Sequence, residues 1–323
     1  MTKKSQNTLP PSTDRVNTIL QTIGNTTLLE LRHVVPSGHA RVLIKLEGQN
    51  PTGSMKDRAA LAMIEAAEAD GRLQSRGTVV EYTGGSTGVS LAFVCAVKGY
   101  PLSIVTSDAF SLEKRTHMRL LGAELTLVPS VDGGMSKALT LNMIEAARRI
   151  SERPGSYATD QLNNVDQIAS YLELGEEIWR QTDGQVDAFV QSVGTAASLR
   201  GVATALRRHN EQVHIVAVEP AESAVLSGGK TGVHKIEGVG AGFIVPLWDE
   251  TLVDDIHTVS TEEAMKMSRR LAREEALFSG TSTGGNVVAA LRVAERLGPN
   301  ATVVTLMVDS GLKYFSTSLY KSA

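Results

Sequence analysis

The chain has one cysteine, Cys95, in 323 residues. No internal disulfide can form, and a cysteine pair or cysteine-rich metal cluster is excluded. Cys95 lies in the apolar run SLAFVCAVKG and reads as a small buried hydrophobe. No stretch of about 18 apolar residues exists to span a membrane. The segment MTKKSQNTLPPSTDR lacks the apolar core of a signal peptide, which predicts a cytoplasmic protein with a polar tail over 1–15. Charge of neither sign dominates: 32 basic and 35 acidic residues leave a net charge of -3. No general attraction to nucleic acid or to an anionic membrane is expected. The seven histidines form no close-spaced pair, so no metal site is expected. Signatures for serine hydrolases, dinucleotides and P-loops are missing too. There is no G-x-S-x-G and no G-x-G-x-x-G after the first strand, and GGMSK near Gly133 has the wrong spacing for a phosphate loop.

What is present is a regular alternation. TTLLELRHV and ARVLIKLEG read as two short strands. From Asp57 a helix over about 57–70 runs to Gly71. Then come the strand GTVVEYT, the helix STGVSLAFVCAVKG, the strand PLSIVTS, the helix EKRTHMRLLG, the strand AELTLVP and the helix MSKALTLNMIEAARRIS. ERPGSYATDQLNN, around 152–164, breaks this rhythm and suggests two halves. The second half carries the helix QIASYLELGEEIWRQT, the strand VDAFVQSVG, the helix AASLRGVATALRRHN and the strand VHIVAVEP. A loop-rich stretch from Ala221 to Trp248 follows, then the strand VDDIHTVS, a capping box of Ser260 and Glu263 for the helix EEAMKMSRRLAREEA, and the helix NVVAALRVAERLG before the last strand ATVVTLMV. Short, continuous, β-branched strands are those of a parallel sheet buried on both faces. The fold class is α/β.

Four junctions are rich in glycine and hydroxyl residues. They are TGGSTG (Thr83 to Gly88), VGTAAS (Gly194 to Ser198), SGTSTGGN (Ser279 to Asn286, read as lying between two helices) and DSG at Ser310. Each alone reads as a tight turn with a helix cap. Together they fit a small phosphate or carboxylate cradled by backbone N–H groups at helix N-termini. Lys56, in EGQNPTGSMKDRAA, stands out differently. Asn50 to Gly53 is a turn, and Ser54 with Asp57 marks a helix start, so Lys56 falls in the first helical turn. There the macrodipole disfavours a cation by roughly 0.3–1 kcal/mol and pushes the lysine toward its neutral amine.

Lysine run and glycine loops together resemble the cysteine synthase (O-acetylserine sulfhydrylase)/cystathionine β-synthase family of fold type II pyridoxal-phosphate (PLP) enzymes, from about Thr22 to Ser316. The resemblance implies a tryptophan synthase β-like fold: two three-layer αβα domains with mostly parallel sheets and the active site in the cleft between them. A smaller domain over 48–160 would carry the PLP lysine and substrate loop. A larger one, 16–47 plus 161–323, would carry the phosphate loop. By the family's N-P-x-x-S-x-K-D-R motif, Lys56 is the Schiff-base lysine. TGGSTG matches the substrate loop T-S-G-N-T-G, which gives Thr83, Gly84, Gly85, Ser86 and Thr87 the substrate carboxylate. Ser86 also flanks the cofactor, standing where the family has an asparagine and able to donate a hydrogen bond in its place. DQLNN adds Gln161 and HKIEGVGAGF adds Gly238. VGTAAS matches the phosphate loop and assigns Gly194, Thr195, Ala196, Ala197 and Ser198, with alanines where glycines are usual. VDSGLKYFST assigns the pyridine-nitrogen contact to Ser310.

The implied activity is that of a transferase. It makes L-cysteine, or an analogue such as S-sulfocysteine, from O-acetyl-L-serine and sulfide or another sulfur nucleophile. Alternatives of the same fold are a serine/threonine ammonia-lyase, or cystathionine- or diaminopropionate-type synthesis. The implied partners are the amino-acid substrate, a second copy of the chain in a homodimer and, as in some relatives, a serine acetyltransferase tail.

Overall fold

The apolar runs assemble into two sheets. The computed structural model describes residues 16–131 and 136–321; the tail over 1–15 and most of GGMSK lie outside the described residues. The larger sheet has the order β1 (Leu28–Glu30), β2 (Arg41–Lys45), β10 (Thr302–Leu306), β7 (Ala188–Ser192), β8 (His214–Pro220), β9 (Asp255–Val259). Only β1 is antiparallel to its neighbour. The smaller sheet, β5 (Glu124–Val128), β4 (Leu102–Ser107), β3 (Thr78–Tyr82), β6 (Ser156–Ala158), is parallel throughout. Every residue of β4, β7 and β10 is buried, as strands covered on both faces require.

Among the described residues eight α-helices follow in chain order: α1 (Lys56–Asp70), α2 (Ser86–Lys98), α3 (Leu112–Leu120), α4 (Lys137–Ser151), α5 (Gln167–Gln181), α6 (Ala197–His209), α7 (Thr261–Glu274) and α8 (Thr281–Leu297). They pack as α1 on α2, α5 on α6 and α7 on α8. Among the described residues no helix is long and apolar enough to cross a membrane. Cys95 is buried in the cluster that covers one face of the smaller sheet.

Three details differ from the sequence reading. ERPGSYATDQLNN contains β6, whose three residues pair with β3; a strand that short shows no periodicity. SGTSTGGN is no inter-helix loop, because α8 begins inside it at Thr281. Its glycines serve close packing: a Cβ at Gly284 would run into the backbone of Ala264 on α7. Finally, Ser54 and Asp57 form no capping box. Met55 is the cap residue and makes no side-chain bond. Asp57 turns back to accept hydrogen bonds from the Thr52 amide at 2.7 Å and the Thr52 hydroxyl at 2.5 Å. The Ser260–Glu263 box does form.

α1 is fixed from below by buried charge. Arg58 donates to Glu47 (2.7 and 2.9 Å) and to Glu177 on α5 (2.8 Å from each terminal nitrogen). Lys45 on β2 reaches Glu177 at 2.7 Å. Burial opposes the charge on Glu177, but Arg58 and Lys45 outweigh it and bring the carboxyl down to about 2. A buried cluster of this kind fixes geometry as much as it stabilises, and here it fixes the helix that starts at Lys56.

Candidate active site

The carboxyl ends of β3, β4, β6, β7 and β10 face one cavity of about 950 Å³, counting its open mouth. This is where parallel α/β sheets present ligand-binding loops. Lys56, Thr83, Gly84, Gly85, Ser86, Thr87, Gln161, Gly194, Thr195 and Gly238 all line it. Ala196, Ala197, Ser198 and Ser310 do not.

Lys56 opens α1, and among the described residues its amine has no hydrogen-bond or ion-pair partner. The residue is half-buried, with the amine enclosed by the cavity walls. Burial pulls it from the usual 10.5 to about 8, against the opposing charge of Asp309. The backbone just before it is pinned to the segment after β10: the Met55 amide donates to Val308 O at 3.0 Å, and Ser54 bridges Asp309.

The Thr83–Thr87 loop joins β3 to α2. Thr83 is braced twice, its hydroxyl accepting from the Gly85 amide at 3.1 Å and its carbonyl from the Thr106 hydroxyl at 3.1 Å. Gln161 follows β6. It accepts from the Thr87 hydroxyl at 2.8 Å, donates to Tyr82 O at 2.8 Å, and is held through its own amide by Glu81 at 2.9 Å. Ser86 differs from its expected role as a donor toward the ligand, because its hydroxyl donates to Asp309 Oδ2 at 2.9 Å.

Across the cavity, Gly194 and Thr195 connect β7 to α6. Gly194 cannot carry a side chain without meeting Gly238 O, so two loops touch there. Ala196 is left-handed at φ 69°, and the amides of Gly194, Thr195 and Ala196 have no partner among the described residues. The Ser198 hydroxyl accepts from Gln191. Ser310 does not line the cavity: its hydroxyl accepts from the Leu312 amide at 3.3 Å, capping a short 3₁₀ turn. The hydroxyl that lines the cavity instead is Ser282, in the first turn of α8.

Three further groups in the wall escaped the sequence reading. Lys114 on α3 pairs with Glu237 at 2.7 Å, its ammonium 4.0 Å from the centre of the Tyr314 ring. Asp309 accepts from Ser86 and, at 2.8 Å, from the Tyr314 hydroxyl. Glu237 and Asp309 lie inside motifs already singled out. Lys114 follows no local signal, since only the fold brings α3 to the cavity. Among the described residues no group of three potential metal ligands exists.

Residues 19–309 match the family model described as pyridoxal-phosphate dependent enzyme. The chain belongs to the pyridoxal-phosphate dependent enzymes. It is 42% identical to a cysteine synthase of Staphylococcus aureus over 307 residues, 94% of this chain and 97% of the relative. A cysteine synthase structure from Entamoeba histolytica superposes with a TM-score of 0.89 at 36% identity, covering 98% of this chain and 94% of that one. An O-ureido-L-serine synthase structure superposes with a TM-score of 0.87 at 35% identity, covering 96% of each. The fold is thus the α/β fold of these PLP enzymes. The cavity fits the cofactor on its own evidence. It offers an unpartnered amine lowered toward neutrality for the carbonyl, and unpartnered amides at the start of a 13-residue helix, α6, for the phosphate.

Proposed function

We propose that this enzyme performs β-replacement on an activated serine, taking O-acetyl-L-serine and sulfide, or another sulfur nucleophile, to L-cysteine or an analogue such as S-sulfocysteine. The observation that carries the reading is Lys56, an unpartnered amine lowered to about 8 that lines the same cavity as the small residues of the Thr83–Thr87 loop. PLP, when bound, supplies the electron sink. Lys56 anchors it, then as a neutral amine removes and returns the proton at the substrate Cα. Thr83 to Thr87 receive the α-carboxylate, with Gln161 orienting Thr87. The Gly194–Ala196 amides hold the phosphate, and Gly238 keeps the mouth narrow. Ser282 takes over the ring-nitrogen role first given to Ser310. A similar structure, 36% identical, is an O-acetyl serine sulfhydrylase from Entamoeba histolytica, which supports the substrate class. The same reading assigns a cytoplasmic homodimer whose cleft could admit a serine acetyltransferase tail.

The test is a panel of β-substituted serines against sulfide, thiosulfate and no second substrate. Cysteine or S-sulfocysteine formed with ping-pong kinetics is the expected result. Pyruvate and ammonia from serine alone would replace the reading with an ammonia-lyase. Lys56→Ala is expected to abolish both turnover and the yellow colour of the bound cofactor.

A further inference from the structure

The Ser86 hydroxyl has one hydrogen, and the structure shows where it goes. Ser86 Oγ donates to Asp309 Oδ2 at 2.9 Å. A carboxylate only accepts, so the direction of this bond is fixed. The same oxygen takes the Tyr314 hydroxyl at 2.8 Å. Tyr314 stays a donor, because burial first, and then the charges of Asp309 and Glu237, push it well above its ordinary value. Asp309 is buried, and its other oxygen has no partner among the described residues. The carboxylate is therefore dedicated to these two hydroxyls. It is also placed with care, since its backbone bridges Ser54, two residues before Lys56. One residue thus ties the lysine turn, the strand end of β10 and the first residue of α2 together around the cavity.

We propose that Asp309 is a positioning residue that turns Ser86 into a hydrogen-bond acceptor toward the ligand. With its hydrogen committed to Asp309, Ser86 presents only lone pairs to the cavity. The ligand group that meets it must carry an O–H or N–H. Two sources have that chemistry: the ring hydroxyl of the cofactor and the amino group of the substrate. An amide or a free hydroxyl at Ser86 would instead donate, and would favour an oxyanion in the same place. The inference rests on the PLP reading of the cavity but not on which nucleophile the enzyme uses.

The experiment compares wild type, Ser86→Asn, Ser86→Ala, Asp309→Ala and Ser86→Ala/Asp309→Ala as holoenzymes. It reads the absorption of bound PLP without substrate, then KM and kcat. If the donor is the cofactor's hydroxyl, Ser86→Asn and Asp309→Ala, which leaves the Ser86 hydrogen without its acceptor, both shift the ratio of the visible to the near-ultraviolet band. The expected shift is roughly three- to tenfold toward the visible, the worth of one hydrogen bond. If the donor is the substrate's amino group, the bands stay and KM rises by a similar factor. In either case Asp309→Ala changes neither the band ratio nor KM on the Ser86→Ala background, because toward the ligand the carboxylate acts through Ser86; its charge on Lys56 is read separately, in the pH dependence of cofactor capture. Two results overturn the proposal. One is unchanged bands and unchanged KM in Ser86→Asn, a variant that leaves Asp309 in place. The other is an Asp309→Ala change in band ratio or KM of equal size on both backgrounds. Wild-type turnover of the substrate panel is scored separately, so failure of the proposed reaction leaves the spectral arm readable.

Discussion

A lysine at the first position of a helix gains nothing from the dipole, and at Lys56 the larger force is burial. The structure lowers this amine to about 8, with Asp309 pulling the other way. At neutral pH most of the amine is still protonated and only a minority can attack a carbonyl. Capture of free PLP by the apoenzyme is therefore expected to speed up as pH rises, reaching half its plateau near pH 8. Removing the opposing charge in Asp309→Asn is expected to lower that midpoint, since the ammonium loses the one anion acting on it. Stopped-flow growth of the bound-cofactor absorption across a pH series measures both. A rate independent of pH between about 6 and 9 would remove Lys56 deprotonation from the slow step. Lys56 was legible in the sequence because a cation beside a turn contradicts local electrostatics. Ser282 was harder to choose, since four glycine-rich junctions look alike until the fold selects which hydroxyls face inward. Ser310, one residue beyond Asp309, caps its own turn and lies outside the cavity lining.

The element that most needs support is α1, because its first residue must hold still while ligands come and go. It carries no side-chain cap. Its fixity comes from Arg58, clamped between Glu47 and Glu177 with Lys45 alongside. Arg58→Ala leaves two carboxylates buried without their main partner and is expected to cost about 3–5 kcal/mol, read as a drop in the denaturation midpoint. Arg58→Lys is expected to recover only part, since an ammonium cannot serve both carboxylates in a planar fork. The cluster also sets an acid limit. The folded carboxyl of Glu177 is depressed from 4.5 to about 2, so its contribution is complete above pH 4.5 and is lost as pH falls through 2. In Glu177→Gln this part of the acid limb is expected to flatten. The sequence announced the helix but not its anchor: Glu177 lies 119 residues from Arg58, beyond any local pattern. It announced the Ser260–Glu263 box fully, because there both partners are three residues apart.

At the scale of the whole molecule, the cavity takes its walls from both sheets. Thr83 to Thr87 and Gln161 come from strand ends of the smaller one, Gly194, Thr195 and Asp309 from those of the larger. Alternating strands and helices made two such layers legible in sequence, and the break near 152–164 marked the change from one to the other. The pairings that cross between them, Ser86 to Asp309 and Lys114 to Glu237, were not legible, because they exist only once both layers are folded. A ligand that touches both sides binds the folded chain and not the unfolded one. Its binding free energy therefore appears as stability, about 2.7 kcal/mol at a hundredfold excess over the dissociation constant. At roughly 2–4 °C per kcal/mol for a chain somewhat smaller than this one, holoenzyme is expected to melt several degrees above apoenzyme. Two variants divide that gain by calorimetry with and without PLP. Lys56→Ala keeps the amide cradle and loses the anchor. Gly194→Ala keeps the anchor, but its new methyl group meets Gly238 O and parts the two loops. Each is expected to retain only part of the rise. If Gly194→Ala melts and loads as wild type does, the contact of the Gly194 and Gly238 loops has no part in holding the phosphate, and the cradle must be sought elsewhere on α6.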